Sequence, residues 1–415
     1  MCQSPRLTRL QEHPFPRFRI FAFFIHPLIY GKSLRGGERR FLELVSRFGR
    51  MGIEAYALEA APSLRRAGVE TTFPSVEVKW STKFRTFPNW IQEVLMAIRV
   101  TRIVLRLFKR IRYDVIYVNW GTIANTLPAY VISRLMRRPI VFVFHGMSED
   151  DLKYGFADVI RLRVKNHFPF PLAVFRSLLD LLRWAIYHRA EACIAVSEVT
   201  AAQVARRFKT NRVYVAGNGV DLGSFSYTDK TRAYFEAAYC GSLEGGKGIE
   251  TLLRAWESVT KLRPLARLVL IGEAMSHSSA ARYREMVTNL GLSDNVVFAG
   301  HVPYDEVPSM LGMAEIFVFP SKAEGFPLVV LEAMACGLPC IISDIPVLRE
   351  NFGEAAVLVK PDDIEGFQVA ITTLLTDESK RQALGLISKE YVKKFTWDEV
   401  ARKEVEVFRK LLRKR

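Results

Sequence analysis

The sequence predicts an α/β protein with two doubly wound domains that face each other across a cleft. The chain has 415 residues, enough for two separate hydrophobic cores. Short apolar runs that suit buried strands alternate with segments of helical periodicity. Three times, at 31–40, 241–248 and 321–339, a predicted strand leads into a glycine-containing loop and then a helix. This alternation is typical of parallel sheets, whose strands are joined by helical crossovers.

The first half of the chain contains six predicted strands. Residues 1–17 are polar and proline-containing, and we predict a flexible tail. The run Arg19–Ile25 follows an arginine as a signal peptide would, but it lacks a small-residue cleavage site, so a buried strand fits better. The predicted strands are Arg19–Ile25, Ile53–Ala60, Asp114–Val118, Pro139–Phe144, Ala192–Val196 and Arg212–Ala216.

The second half repeats this architecture after a polar linker at 222–232. Its predicted strands are Ala237–Cys240, Arg267–Ile271, Val296–Ala299 and Ile316–Phe319, and Trp397–Arg415 has a helical pattern. No run of about 18 apolar residues occurs, so no transmembrane helix is expected.

The stretch S-K-A-E-G-F-P-L-V-V-L-E-A-M-A-C-G-L-P, from Ser321 to Pro339, is the strongest candidate site. Pro327 suits the first position of a helix over 328–335, and Gly337 suits the residue just past its end. The free amides and dipole at such a helix start favour an anion such as a phosphate. Glu324 on the loop and Glu332 in the helix add two carboxylates at this place.

Three further positions have the right context for ligand binding. Lys247, at the end of the loop G-S-L-E-G-G-K-G, can reach a diphosphate. Gly36-Gly37 permits close approach of the backbone to a ligand where a helix begins. His145 ends a predicted strand, where parallel sheets bind ligands. The alternatives are a plain turn at Gly36-Gly37 and a structural role for His145.

The segment E-G-F-P-L-V-V-L-E, with Ser321 before it and A-C-G-L-P-C-I-I-S-D after it, resembles retaining nucleotide-sugar glycosyltransferases of the GT-B fold, in family four. The resemblance implies transfer of a sugar from a nucleoside-diphosphate-sugar to an acceptor hydroxyl. It also implies an acceptor-binding domain at 18–220, a donor-binding domain at 221–390 and a terminal helix, 391–415, that crosses back to the first domain. Synthesis of polysaccharide, glycolipid or another cell-envelope glycan is the expected setting.

The resemblance also implies roles for single residues. Lys247 and the amides of Phe326 and Leu328 would hold the diphosphate, Glu332 the ribose, and His301-Val302 the base. His145 and Glu324 would lie near the transferred sugar, and the loop of Gly36, Gly37 and Glu38 would face the cleft. Retention is expected through attack on the same face, assisted by the leaving phosphate. The implied catalytic residues are His145, Glu324 and Lys247, and the implied donor-binding residues are Gly36, Gly37, Ser242, Lys247, His301, Val302, Gly325, Phe326, Pro327, Leu328 and Glu332.

One residue departs from the family pattern. Ser242 stands where the family usually has an arginine on the diphosphate, and losing one charge-assisted contact costs about 1.5–3 kcal/mol. The alternative function is therefore a non-catalytic sugar-nucleotide- or membrane-binding protein of the same fold. The chain contains no D-x-D triplet, and we expect neither a metal nor another cofactor.

The basic charge is confined to the first half. Residues 1–190 contain 31 Lys and Arg against 14 Asp and Glu, whereas the rest contains 28 against 29. The basic amphipathic segment Asn89–Arg112 and the basic, aromatic stretch Ile160–Arg189 fit either solvated helix faces or an anionic membrane surface. We expect a lipid-linked or saccharide acceptor and a protein at the cytoplasmic face of a membrane. Nucleic-acid binding is argued from charge alone, without an RNA-binding signature, and is not expected.

The five cysteines show no spacing typical of metal ligands. Buried thiols in a reducing compartment are the simplest interpretation, and they agree with a cytoplasmic location.

Overall fold

The computed structural model describes residues 18–24, 36–59, 75–77, 89–107, 112–119, 121–147, 156–165, 169–225, 234–274 and 276–413. Their strands form two separate sheets, one of seven strands and one of six, and neighbouring strands are parallel throughout. The predicted fold class, two doubly wound α/β domains, is confirmed.

The seven-stranded sheet belongs to the first half of the chain. Its strands are β1 (Arg19–Phe24), β2 (Glu54–Glu59), β3 (Ser75–Glu77), β4 (Val115–Val118), β5 (Ile140–Phe144), β6 (Ala192–Ala195) and β7 (Val213–Val215). They lie in the order β3-β2-β1-β4-β5-β6-β7. Strands β4, β5 and β6 are buried along their whole length, as expected where helices cover both faces of a parallel sheet.

The six-stranded sheet repeats the same order. Its strands are β8 (Phe235–Cys240), β9 (Leu268–Ile271), β10 (Val296–Gly300), β11 (Ala314–Phe319), β12 (Cys340–Ser343) and β13 (Ala356–Val359), arranged β10-β9-β8-β11-β12-β13. The strand order reverses between β8 and β11. Ligands of open α/β sheets bind beyond the carboxyl ends of the strands at such a switch point.

The helices of the first half are α1 (Gly36–Arg50), α2 (Asn89–Leu107), α3 (Ile123–Met136), α4 (Phe156–Lys165), α5 (Phe170–His188) and α6 (Glu198–Phe208). Those of the second half are α7 (Ile249–Leu262), α8 (His277–Asn289), α9 (Val307–Gly312), α10 (Leu328–Ala335), α11 (Pro346–Phe352), α12 (Ile364–Thr376), α13 (Glu378–Tyr391) and α14 (Trp397–Arg413). Gly245–Lys247 and Val392–Lys394 form short 3-10 helices.

The predicted strands that lie within the described residues are confirmed to within about two residues at each end. One detail of the prediction is wrong. Pro327 caps α10 from outside, with φ −75° and ψ 119°, and Leu328 is the first helical residue. Helix α1 begins at Gly36, the position of the predicted helix start. The predicted tail 1–17 and the loop residues 31–35 lie outside the described residues.

The C-terminal helix α14 packs on the first sheet, although it follows the second sheet in sequence. Phe408 makes edge contacts with Phe18, Phe48 and Tyr117, at centroid distances of 6.2, 5.8 and 5.7 Å. Trp397, at the start of the helix, is buried in the same cluster. This packing ties the end of the chain to the core of the first half.

The two halves also meet directly at a helix start. The Glu350 carboxylate on α11 accepts hydrogen bonds from the amides of Glu198, at 2.8 Å, and Val199, at 3.0 Å. These are the first amides of α6, which have no partner within their own helix. A side chain of the second half thus caps a helix of the first.

Within the described residues, none of the helices combines the length and the hydropathy that a membrane-spanning segment requires.

Candidate active site

An ion pair marks the switch point of the second sheet. The Nζ of Lys247 lies 2.6 Å from Oε1 of Glu324, and the hydroxyl of Ser321 donates to the same oxygen at 2.6 Å. Lys247 follows β8 and Glu324 follows β11, so neighbouring strands bring together two residues 77 positions apart. The side chain of Lys247 is 29% exposed and that of Glu324 only 10%, which leaves the cation accessible to a ligand.

The two loops meet because glycine permits it. Gly248 has φ +70°, and a Cβ there would lie 2.0 Å from the carbonyl oxygen of Pro320. The amide of Lys322 donates to the carbonyl of Gly246 at 2.9 Å. The loop that carries Lys247 therefore packs backbone to backbone against the loop that carries Glu324. Any side chain at position 248 would push Lys247 away from its partner.

Glu332 is buried in α10 and faces Tyr304, whose hydroxyl donates to Oε1 at 3.0 Å. Burial raises the pKa of Glu332 to about 7, although the Tyr304 hydrogen bond and the Arg39 charge act in the opposite direction. The guanidinium carbon of Arg39, on α1 of the first half, lies 3.5 Å from the centroid of the Tyr304 ring. Glu332, the residue predicted to bind the ribose, is thus held by Tyr304, and Arg39 of the first half stacks on the Tyr304 ring across the cleft.

This buried carboxyl gives a pH-dependent prediction. The folded protein binds the Glu332 proton more tightly than the unfolded chain, so the free energy of unfolding falls as pH rises from 4.5 to about 7. The fall amounts to about 3 kcal/mol. A Glu332→Gln variant keeps the Tyr304 bond without this loss, so its thermal midpoint should exceed that of the wild type at about pH 8 but not at about pH 5. Differential scanning fluorimetry at both pH values checks this, and an equal difference at both would contradict it.

His145 directly follows β5, beside the end of β4. Its Nε2 lies 2.9 Å from the carbonyl oxygen of Asn119, an atom that can only accept, so Nε2 carries the proton. Burial and the nearby charge of Arg40 lower the pKa of His145 to about 3, and the ring is neutral at physiological pH. The Nδ1 atom then has the lone pair and can accept a hydrogen bond from a hydroxyl.

The loop of Glu324 touches this histidine across the cleft. A Cβ at Gly325 would come within 1.6 Å of the His145 carbonyl oxygen, and a Cβ at Gly146 would lie 3.3 Å from Gly325 Cα. A Cβ at Gly36 would lie 3.6 Å from Cδ1 of Leu328. Gly36 therefore lies against the start of α10, and the turn of His145 and Gly146 lies against the loop that precedes it.

The other predicted residues also lie at carboxyl ends of strands. Ser242 follows β8, and its carbonyl accepts from the Tyr239 hydroxyl at 2.9 Å. His301 and Val302 follow β10, but Tyr304 is the residue of this loop that reaches Glu332. Phe326 packs edge-on against Phe352, at 5.5 Å between centroids.

A buried arginine connects these parts and was not predicted. Arg40, fully buried, donates to Oε1 of Glu404 on α14 at 2.6 Å and to Oδ1 of Asn218 at 2.9 Å. The Asn218 side chain in turn donates to the carbonyl of Phe326 at 3.1 Å. No motif or spacing in the sequence pointed to Arg40 or Glu404.

A pocket adjoins His145 on the side of the first sheet. Its walls come from the ends of β4 and β5 and from the last turns of α5, which contribute Arg183, Trp184 and Tyr187. The Tyr187 hydroxyl donates to the carbonyl of Gly121 at 2.8 Å and so closes one wall. The pocket combines aromatic faces with a cation, groups that suit a polar ligand with an apolar side. Among the described residues, no group of three or more His, Cys, Asp or Glu side chains is placed to hold a metal ion.

Two family models match the chain in succession. The model described as "Glycosyltransferase Family 4" matches residues 34–224, and that described as "Glycosyl transferases group 1" matches residues 229–391. Together they span residues 34–391 apart from 225–228, a range that includes His145, Lys247, Glu324 and Glu332.

Curated proteins give the same picture. The sulfoquinovosyl transferase SQD2 of Arabidopsis thaliana is 25% identical over 401 residues, which covers 91% of this chain and 71% of that protein. The O-antigen chain mannosyltransferase B of Escherichia coli is 29% identical over 177 residues, 42% of this chain and 46% of that protein. Against the second relative, the chain therefore matches about half of its length.

Solved structures agree in fold. Sucrose-phosphate synthase from Thermosynechococcus elongatus has a TM-score of 0.78 at 20% identity, covering 96% of this chain and all (100%) of that one. Anabaena Alr3699/HepE, in complex with UDP-glucose, has a TM-score of 0.71 at 18% identity, covering 94% and 98%. These likenesses confirm the predicted GT-B arrangement.

Proposed function

Because the chain is a glycosyltransferase of the group 1 and family 4 type, we propose that it transfers a sugar from a nucleoside-diphosphate-sugar to an acceptor hydroxyl, with retention at the anomeric carbon. The observation that carries the proposal is the contact of Lys247 with Glu324 at the switch point, next to the start of α10. A diphosphate resting there would meet a cation and a helix start together. The relatives include an O-antigen chain mannosyltransferase and a sulfoquinovosyl transferase, which supports glycan or glycolipid synthesis as the setting.

In the proposed reaction the bond between the anomeric carbon and the diphosphate oxygen breaks first. Lys247 and the first amides of α10 stabilise the negative charge that develops on the leaving oxygen. This electrostatic stabilisation makes the main contribution to the rate enhancement. The acceptor oxygen bonds to the anomeric carbon from the same face, and its proton passes to the departing phosphate. Glu324 holds Lys247 in position and lies beside the sugar, without a covalent bond to it.

Two other side chains are proposed to bind the donor. Glu332 would accept hydrogen bonds from the ribose hydroxyls. At Oε1, a ribose hydroxyl would either displace the Tyr304 hydroxyl or donate to the same oxygen beside it. His145 would accept a hydrogen bond from a sugar hydroxyl at Nδ1. A pKa of about 3 makes it a poor general base near neutral pH, so its proposed role is in positioning.

The function is tested by incubating the purified protein with UDP-, GDP- and ADP-sugars and measuring thermal shift, hydrolysis and the anomeric configuration of any product. We expect one nucleotide class to stabilise the protein and the product to keep the donor's configuration. An inverted product would contradict retention. Matched Lys247→Ala and Glu324→Ala variants identify any activity that comes from a contaminant.

The non-catalytic alternative rests on Ser242, which lacks the cationic side chain usual at this position. Binding of a sugar nucleotide with neither transfer nor hydrolysis would favour it. A salt-sensitive shift with DNA or RNA, without binding of any sugar nucleotide, would instead favour the nucleic-acid alternative.

A further inference from the structure

Arg39, near the start of α1, reaches across the cleft to the second half. Its guanidinium carbon lies 3.5 Å from the centroid of the Tyr304 ring, on the loop that follows β10. The side chain is half-buried, and among the residues that the structure describes no carboxylate pairs with it. A cation in a partly desolvated place is attracted by the negative face of an aromatic ring. Arg39 therefore brings a positive charge from the first half to the loop of the second.

The Tyr304 ring is held from two directions. Arg39 covers one face, and the buried ring of Phe225 contacts it edge-on, at 5.5 Å between centroids. With the ring held in this way, its hydroxyl has a defined direction and donates to Oε1 of Glu332 at 3.0 Å. The direction of this hydrogen bond thus depends on a residue of the other half.

The Glu332 carboxylate keeps capacity for further donors. The Tyr304 hydroxyl donates to Oε1, and no other described side chain donates to either oxygen. An ionised carboxylate has about four lone-pair sites, so one tyrosine hydroxyl leaves room for both hydroxyls of a ribose. Because the Tyr304 bond restricts rotation of the carboxylate, it also restricts where those hydroxyls can bind.

The charges around this pair favour the ionised carboxylate. Burial raises the pKa of Glu332 to about 7, and the Tyr304 hydrogen bond and the Arg39 charge act against that rise. Burial also raises the pKa of Tyr304, Glu332 and Glu43 of α1 add to the rise, and the Arg39 charge opposes it. Cys240, at the end of β8, is a neutral thiol near Glu332, because burial raises its pKa. Among the described groups that act on this pair, Arg39 is the cation, and it favours the form of Glu332 that accepts at both oxygens.

We infer that Arg39 is a positioning residue for the ribose of the donor, acting through Tyr304 on the Glu332 carboxylate. The first half of the chain would thereby complete the nucleotide site of the second. The inference rests on the proposed function, in which Glu332 binds the ribose. Of the two arrangements at Oε1, it selects the one in which the ribose hydroxyl donates beside Tyr304 and does not displace it. Direct contact with the donor's phosphates is the other role open to this cation, and a nucleotide without ribose hydroxyls separates the two.

The test is calorimetric titration of the full chain with whichever of UDP, GDP and ADP binds, and with the dideoxy counterpart of that nucleotide, which lacks both ribose hydroxyls. Arg39→Ala should weaken binding of the ribonucleotide about tenfold and leave binding of the dideoxy compound unchanged. Arg39→Lys should recover part of the loss, because it keeps the charge without the planar face. Tyr304→Phe, which keeps the ring and loses the hydroxyl, should resemble Arg39→Ala.

The matched control is Arg267→Ala. The guanidinium carbon of Arg267 also lies over an aromatic ring, 4.4 Å from the Tyr234 centroid, but it precedes β9 at the amino end of that strand. The proposed nucleotide site lies at the carboxyl ends of the strands. This variant should therefore bind both compounds as the wild type does.

A second measurement needs no nucleotide. Arg39 stabilises Glu332 only when that carboxyl is ionised, so Arg39→Ala should lower the thermal midpoint more at about pH 8 than at about pH 5. In a Glu332→Gln background this dependence on pH should disappear, because no titratable group then remains at that position. A purely structural role for Arg39 would give the same loss at both pH values and would overturn the inference.

The binding data can also overturn it. Arg39→Ala that binds the ribonucleotide as the wild type does, or that weakens both compounds equally, would contradict the inference while the proposed function stands. Equal weakening would assign the cation to the phosphates. Tighter ribonucleotide binding by Tyr304→Phe would show that the tyrosine hydroxyl competes with the ribose. If the wild type binds no nucleotide at all, the proposed function fails and the ribose role fails with it.

Discussion

Replacing Lys247 with alanine is expected to lower kcat/KM for sugar transfer by on the order of a hundred- to a thousandfold. The variant removes the ammonium group that lies 2.6 Å from Glu324. The Glu324 side chain, which is only 10% exposed, then has lost its counter-ion. The leaving diphosphate would lose a charge-assisted contact and meet an uncompensated negative charge. Lys247→Arg should retain part of the activity, because it keeps the charge but not the compact geometry.

Steady-state kinetics and calorimetric titration with the nucleoside diphosphate measure this effect. The matched control is Lys261→Ala, which removes a 68% exposed lysine paired with Glu257 and should change neither quantity. In a double-mutant cycle, Glu324→Gln should cost less in the Lys247→Ala background than in the wild type, because the two side chains act as a unit. Unchanged donor affinity in Lys247→Ala would refute the proposed site.

Glu404→Ala should lower the free energy of unfolding by about 3–5 kcal/mol, the range found when a buried ion pair loses one partner. Glu404 and Arg40 are both fully buried, and their atoms lie 2.6 Å apart. The variant leaves the Arg40 guanidinium in the core with only neutral partners. Replacing both residues with leucine should cost much less, since no charge then remains buried.

Guanidinium-induced unfolding of the full chain measures this loss. Glu250→Ala removes a carboxylate that is 43% exposed and pairs with two arginines, so it serves as the control and should cost less than about 1 kcal/mol. An equal cost for Glu404 and Glu250 would contradict the argument. We also expect a higher donor KM in Glu404→Ala, because Arg40 reaches the Phe326 carbonyl through Asn218.

The sequence predicted local structure well where proline or glycine residues mark the ends of an element. The helix predicted from Leu328 to Ala335 has those bounds. The fixed φ of Pro327 suits the residue at a helix start, and Gly337 ends the helix because it can adopt the left-handed conformation, with φ +72°. The alternation of strands and helices predicted two parallel sheets. A continuous apolar strand is buried on both faces only when it lies between two layers of helix.

Contacts between distant residues were beyond this kind of prediction. Arg40 and Glu404 are 364 residues apart. The family resemblance implied that the terminal helix returns to the first domain, but no local pattern indicates that these two side chains pair. The sequence prediction named His301 and Val302 on this loop, whereas Tyr304 is the residue that contacts Glu332. The helix predicted from the apolar spacing of α2 is confirmed as far as Leu107. Periodicity does not reveal, however, which apolar face a neighbouring helix covers.

By itself, the sequence determined the two-sheet architecture and the candidate residues at the ends of the strands, because these depend on backbone preferences and apolar spacing along a short stretch of chain. Only the tertiary structure decided which of them meet. The strand order places β8 beside β11, so that Lys247 reaches Glu324, and the neighbouring ends of β4 and β5 decide which nitrogen of His145 holds its proton. The physical reason is that pairing between strands, and the burial that shifts a pKa, are properties of surroundings assembled from remote parts of the chain.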